Sequence, residues 1–280
     1  MNYKHIYHAG NFADVAKHIA LLDCLEALKR KDTPFMVLDT HAGRGWYDLR
    51  SAESRKSHEA DAGVQALIAG GFDEPSLAPY LQAIGAARGA KLSRYPGSPA
   101  LIAGALRGGD RAVFVELVAA EARAIEREVE SAGRIRTLIG DGYAQLKALL
   151  PPPERRGVVL IDPPFEQPGD LVRLRDGLAE AVRRFATGTY VLWFPIKDMR
   201  TIERFLRELA SLGLDKLLAI ELLVRAPKDP ALLNGCGLVV LNPPYSLVQA
   251  LPKALPALAT VLAQGSGASC RHAWLSGTDQ

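Results

Sequence analysis

Cysteine is scarce in this 280-residue chain: Cys24, Cys236 and Cys270 are its full complement. An odd number, with no two in a metal-ligand spacing, argues against a disulfide framework and against a cysteine-based zinc module. Long apolar runs are missing as well; none reaches the roughly 18 residues of a membrane-spanning helix. The start, Met1-Asn2-Tyr3-Lys4-His5, has no apolar stretch of the secretory kind. These absences set the expectation of a reduced, cytoplasmic protein without membrane association. Neither sign of charge dominates: 34 Lys and Arg face 31 Asp and Glu, a net charge of +3. That balance neither demands nor excludes a nucleic-acid partner. There is no internal repeat, no low-complexity tract, and no helix-turn-helix or zinc pattern for reading duplex DNA. His5, His8 and His18 lack the ligand pattern of a zinc site, so no metal is expected.

What is present is material for a core, with 48% hydrophobic and 23% charged residues, the balance of an ordinary globular domain. The run Val158-Val159-Leu160-Ile161 reads as a strand buried on both faces of a parallel sheet. It stops at Asp162-Pro163-Pro164-Phe165. Two prolines cannot continue a ladder, and each holds the residue before it extended. An acid and an aromatic ring are thereby fixed at the carboxyl end of a strand, where open α/β sheets bind ligands. The letters match the Asp/Asn/Ser-Pro-Pro-Tyr/Phe signature of enzymes that methylate the exocyclic amine of adenine or cytosine. Such an amine is a poor nucleophile because its lone pair is delocalised into the ring. Acceptors aimed at its N–H groups favour the pyramidal, nucleophilic form. The Asp162 carboxylate and the Pro163 carbonyl are candidates for those acceptors, and Phe165 offers a face for a flipped base.

The order of the other segments supports this reading. Asn11 and Asp14 look like an N-cap and an acidic first turn, opening a helix to about Arg30. Phe35-Met36-Val37-Leu38-Asp39 is a buried strand running into Gly43-Arg44-Gly45, a turn where backbone can approach a ligand closely. The third glycine of a dinucleotide fingerprint is missing, which disfavours a dehydrogenase. From about residue 48 to 95 the periodicity blurs into short helical runs broken by glycines, read as an inserted helical subdomain. Ser98 is placed to cap a helix starting at Pro99. A second strand ends at Glu116, an acid suited to ribose hydroxyls. A third strand leads into Gly140-Asp141-Gly142. Strands over 217–224 and 237–242, joined without a helix, suggest an antiparallel hairpin at the sheet edge, and residues 276–280 look like a frayed tail. Asn242-Pro243-Pro244-Tyr245 repeats the motif in letters, but a strand reversed in a hairpin delivers its end to the opposite edge of the sheet. It is read as a structural turn.

Taken with the segments Tyr3-Lys4-His5-Ile6-Tyr7-His8-Ala9-Gly10-Asn11-Phe12-Ala13-Asp14-Val15-Ala16-Lys17-His18, Leu38-Asp39-Thr40-His41-Ala42-Gly43-Arg44-Gly45, Tyr95-Pro96-Gly97-Ser98-Pro99 and Arg184-Phe185-Ala186-Thr187-Gly188, the chain resembles the bacterial 23S ribosomal RNA adenine-N6 methyltransferases of the large-subunit methyltransferase J family. The resemblance implies a class I, Rossmann-like α/β fold with a seven-stranded, mostly parallel sheet. Residues 1–47 and 96–280 would form the methyltransferase domain, and residues 48–95 the insertion. It implies S-adenosylmethionine as cofactor, touched by Lys17, His18, His41, Ser98, Glu116, Asp141, Gly142 and Asp162. Asp162, with Pro163 and Phe165, would be catalytic, and Tyr3 and Phe165 would meet the RNA, with adenine 2030 of 23S ribosomal RNA as target. A monomer working without metal is expected. Two departures stand out: Phe165 replaces the family's usual tyrosine, and Lys4 the usual arginine, which keeps charge but loses bidentate geometry. The competing readings are a DNA adenine methyltransferase and a non-catalytic RNA-binding protein on this fold.

Overall fold

The computed structural model describes residues 4–70, 74–87 and 89–276. The Asn11 side chain accepts the Asp14 amide and starts α1 (Phe12–Lys29), as its sequence signals. β1 (Met36–Asp39) follows, buried throughout. The Gly43/Gly45 turn then opens into a short strand, β2 (Trp46–Asp48), and not into a helix. Three short helices come next: α2 (Ala52–Ser57), α3 (Ala66–Gly70) and α4 (Ala78–Ala83). The chain returns through β3 (Arg94–Pro96), which pairs antiparallel with β2. The helical segment is thus bracketed by a two-stranded ribbon. Between α2 and α3 the helical stretch Asp61–Gln65 is kinked at Gly63, where an added Cβ would lie 2.2 Å from the Gly10 carbonyl. The same carbonyl accepts the Val64 amide at 2.8 Å, tying the segment to the turn before α1.

The remaining elements are α5 (Ser98–Ala105), β4 (Arg111–Glu116), α6 (Ala119–Glu128), β5 (Arg134–Ile139), α7 (Gly142–Leu149), β6 (Gly157–Ile161), α8 (Asp170–Arg184), β7 (Thr189–Ile196), α9 (Met199–Ala210), β8 (Leu217–Leu223), β9 (Gly235–Leu241), α10 (Tyr245–Val261) and β10 (Ser269–Ser276). The main sheet runs β10-β8-β9-β7-β6-β1-β4-β5. Strands β5, β4, β1, β6 and β7 are parallel, while β9 is antiparallel to both β7 and β8. This is the class I methyltransferase arrangement, α/β with a mostly parallel sheet.

Three expectations need correction. Among the described residues the main sheet has eight strands, not seven. The extra one, β10, pairs antiparallel with β8, so the β8–β9 hairpin is not at the edge. Ser276, read as frayed tail, is the last residue of β10. The cause is composition: Ser-Cys-Arg-His-Ala-Trp-Leu-Ser is mixed in polarity because an edge strand leaves much of its surface to solvent. The third correction concerns Ser98. Gly97 is the N-cap of α5 and Ser98 is already its first helical residue, making no cap bond.

Alternation along β6 shows why its sequence is continuously apolar. Val158 and Leu160 pack into the layer with α1, α5 and α10, whereas Val159 and Ile161 pack into the layer with α7, α8 and α9. Burial of successive residues on opposite faces is the signature of a central parallel strand. Shortening Leu160 to alanine, at a fully buried position, is expected to cost about 2–5 kcal/mol. Leu232→Ala, at a half-exposed loop position, is expected to cost less than about 0.5 kcal/mol. Urea unfolding midpoints of the two variants check this.

Candidate active site

Parallel register brings the ends of β1, β4 and β6 to one edge. Asp39 closes β1 level with Leu160 of β6 and Phe114 of β4. Glu116 closes β4 level with Ile139 of β5. Asp141 and Asp162 follow β5 and β6 directly, so four carboxylates meet at the carboxyl edge. The turn after β1 has Gly43 at φ +69° and Gly45 at φ +91°, conformations that favour glycine. Glu116 grips that turn, accepting the Gly43 amide at 2.7 Å on one oxygen and the Val118 amide at 2.7 Å on the other. Burial pushes Glu116 up despite those bonds. Gly142 lies so close to the β1 turn that an added Cβ would sit 2.0 Å from the Thr40 carbonyl. Asp141 caps α7 through the Tyr143 and Ala144 amides and pairs with Arg173 at 3.2 Å.

His41 lies between these elements, its ring edge-on to Tyr143. Its Nδ1 is 2.8 Å from the Thr40 hydroxyl, which itself donates to the Leu160 carbonyl at 2.9 Å. A hydroxyl has one proton to give, so it accepts from Nδ1–H and leaves Nε2 as an acceptor. Burial pushes His41 down to about 4, consistent with a neutral ring. Asp39 is fully buried and its Oδ2 has no hydrogen-bond partner; burial, with Asp162 nearby, pushes it up to about 6 although Ser98 and the His41 amide oppose this. The Ser98 hydroxyl thus faces Asp39 instead of capping α5.

The motif after β6 is held from above by α1. Lys17 Nζ lies 2.5 Å from Asp162 Oδ2 and 2.9 Å from Asp14 Oδ1. Asp14 also accepts the Gly10 amide and His5 Nε2, each at 2.9 Å. Burial opposes a charge on Lys17, but the Asp14 and Asp162 carboxylates outweigh it and hold the ammonium well above the ordinary lysine range. Asp14, also opposed by burial, is held well below the usual carboxylate range by His5 and Lys17. His18 Nδ1 is 2.8 Å from the Tyr95 hydroxyl, which meets the Tyr80 hydroxyl at 3.1 Å. Burial pushes His18 down to about 3 and leaves a neutral ring whose Nε2 has no partner. Phe165 takes φ +51° and presents its ring edge-on to Trp193 of β7, with centroids 5.5 Å apart.

Of the residues expected from sequence, Lys17, Asp162, Glu116, Asp141, Gly142, His41 and Ser98 gather at this edge. His18 lies one residue beyond Lys17 on α1. Tyr3 lies outside the described residues. Sequence reasoning missed Asp14, taken as an ordinary first-turn acid, and Trp193, hidden inside a strand. It noted Asp39 at the strand end without placing it in the site. Asn242 directly follows β9, whose last residue Leu241 is level with Tyr190 near the start of β7. The second proline motif therefore lies at the opposite edge, with Asn242 Nδ2 spent on the Ala186 and Gly188 carbonyls.

The family model "RsmJ: Ribosomal RNA large subunit methyltransferase D, RlmJ" matches residues 32–276. The chain is 37% identical over 276 residues to Ribosomal RNA large subunit methyltransferase J of Escherichia coli, covering 98% of this chain and 99% of that protein. It is 39% identical over 274 residues to the protein of the same name from Haemophilus influenzae, covering 95% and 96%. A crystal structure of a protein from Legionella pneumophila superposes with a TM-score of 0.87 at 34% identity, covering 97% of this chain and 99% of that one.

Two outcomes are expected from the geometry. The His18 and His41 rings have folded pKa values near 3 and 4, below the unfolded value of about 6.5. Their neutral burial therefore contributes stability above about pH 6.5, lost as pH falls toward 4 and 3. Their ring-proton NMR shifts should stay flat from pH 8 to 5. Lys17→Met removes the cation shared by buried Asp14 and Asp162, leaving His5 alone on Asp14, and is expected to cost about 3 kcal/mol, read from urea unfolding.

Proposed function

The chain belongs to the ribosomal RNA large subunit methyltransferase J family, and from that premise we propose that it methylates the exocyclic N6 amine of one adenine in 23S ribosomal RNA, adenine 2030, with Asp162, Pro163 and Phe165 as the catalytic group. The observation that carries this is the placement of Asp162: it follows the central strand β6, is fixed by two prolines, and is oriented by Lys17 at 2.5 Å. The family's cofactor is S-adenosylmethionine, and the donor set fits it. A cationic amine suits the Asp39 oxygen that has no hydrogen-bond partner. The β1 turn runs through Gly43 and Gly45 in left-handed backbone, a conformation that lets the main chain approach a ligand closely. Lys17, His18, His41, Ser98, Glu116, Asp141, Gly142 and Asp162 would hold the cofactor, and Asp39 joins them on this reading. Bound there, it supplies an electrophilic methyl group on a sulfonium.

The chain's own residues do the rest. Lys17 takes Asp162 Oδ2, leaving Oδ1 for one N–H of the target amine. The Pro163 carbonyl accepts the other, and together they favour the pyramidal amine that attacks. Phe165, buttressed by Trp193, offers its face to the flipped base. Holding amine and methyl in line supplies much of the acceleration. No covalent intermediate on the protein is needed, so buried Cys24 and Cys236 have no role. Tyr3 would touch the RNA, and residues 48–95, as a subdomain mounted over the turn before α1, would shape the substrate side.

Transfer of labelled methyl to unmodified 23S RNA tests this, with adenine-containing DNA alongside. Label is expected on RNA as N6-methyladenine, and Asp162→Ala should reduce it by about 10²–10³ or more. Phe165→Tyr should keep activity, since stacking needs the ring face, while Phe165→Ala should raise KM for RNA. Label on DNA alone would overturn the substrate, and label surviving Asp162→Ala would overturn the site.

A further inference from the structure

At the catalytic edge the carboxylates Asp39, Glu116, Asp141 and Asp162 stand together, and the cations closest to them are paired: Lys17 with Asp14 and Asp162, Arg173 with Asp141, Arg44 with Glu121. Phosphate neutralisation by Lys and Arg nonetheless supplies much of the affinity of proteins for nucleic acids. The opposite, amino edge of the sheet carries a further group of exposed cations outside any ion pair among the described residues.

There α1 runs out at Lys29, and a short exposed loop leads into β1. Two arginines from elsewhere in the chain fix that loop. Arg156 donates to the Thr33 carbonyl at 2.6 Å and to that of Leu28, and Arg107 donates to the Lys31 carbonyl at 2.9 Å. Both guanidiniums lie over the Phe35 ring. Arg107 is neutralised by Asp110 at 2.8 Å, and Asp32 is in the loop itself. Around this frame Arg30, Lys31 and Arg155 are exposed, and none is within ion-pair distance of a carboxylate among the described residues. Arg155 is presented by a left-handed backbone, φ +52°. The patch continues to the second proline motif: Asp23 of α1 accepts the Ser246 hydroxyl at 2.6 Å and feels the charge of Arg30. Ser246 follows Tyr245, a ring 71% exposed. Tyr245 is left bare at an edge where Asn242 is fully engaged.

We infer that this amino-edge surface, built from Arg30, Lys31 and Arg155 with Tyr245 beside them, is a second RNA-binding site. It grips the phosphates of a part of the substrate RNA remote from the target adenine, and Tyr245 stacks an unpaired base. The five residues of β6 separate the two edges by roughly 16 Å, so a folded RNA passing round the sheet reaches both. The inference rests on the proposed function for the identity of the RNA. The frame residues Arg107 and Arg156 serve the loop, while the three free cations serve the ligand. Cations at helix ends also offset the helix dipole, so the test must separate affinity from stability.

The experiment compares the full chain with an Arg30→Gln, Lys31→Gln, Arg155→Gln triple variant. It reads filter binding of an unmodified 23S RNA transcript across a range of salt, methyl transfer kinetics on the same RNA, and thermal midpoint. The slope of log affinity against log salt should fall by about two to three in the variant. KM should rise roughly tenfold or more, with kcat and thermal midpoint unchanged. Tyr245→Ala should weaken binding roughly tenfold with the slope retained. An unchanged slope and KM in the folded triple variant overturns the inference. So does a fall in thermal midpoint with the slope intact, which assigns the cations to the helix ends. Wild-type protein that binds RNA with the expected slope difference but transfers no methyl overturns the proposed function and leaves this surface standing.

Discussion

The ammonium of Lys17 lies between the carboxylates of Asp14 and Asp162, and much of the site depends on that arrangement. An isolated ammonium in this position would be driven toward its neutral form by desolvation. Two carboxylates keep it charged, and it in turn makes a buried Asp14 tolerable. Breaking such a group leaves an uncompensated charge, which is the costly outcome for buried ion pairs. The chain before α1 is drawn into the same network through His5 and the Gly10 amide. The N-terminal segment, the first helix and the motif after β6 are therefore one electrostatic unit, although Lys17 and Asp162 are 145 positions apart.

The sheet provides the frame for that unit. Parallel strands end at the same edge, and each end here bears an acid or an acid-containing turn. Repulsion among them is managed differently at each place. Glu116 is satisfied by backbone amides, Asp141 by a helix N-terminus and Arg173, and Asp162 by Lys17. Asp39 is the exception, raised by burial and with one oxygen unpartnered. Strain and unsatisfied polar groups concentrate where ligands bind, and the positive φ of Phe165 in the same place fits that rule.

The two ends of the sheet differ in charge for a reason rooted in topology. Helices packed on a parallel sheet point their N-termini at the carboxyl edge and their C-termini at the amino edge. Acids favour the first and bases the second. Asp141 at the start of α7 and Lys29 at the end of α1 follow that bias.

The sequence by itself determined the central strand, because a run buried on both faces has no polar positions, and its stop, because prolines forbid continuation whatever surrounds them. It determined the N-cap of α1 and the glycine turn after β1, which depend on neighbours a few residues away. Strand order placed the second proline motif at the opposite edge of the sheet, and β9 does end there, level with the start of β7. Tertiary structure decided what depends on distant partners. That Asp14 is a buried hub and not a solvated first-turn acid follows from Lys17 and His5 converging on it. That Ser98 faces Asp39 instead of capping α5 follows from where β1 ends. That β10 closes the sheet edge follows from pairing with β8, since an edge strand with one covered face leaves no clear alternation in its letters.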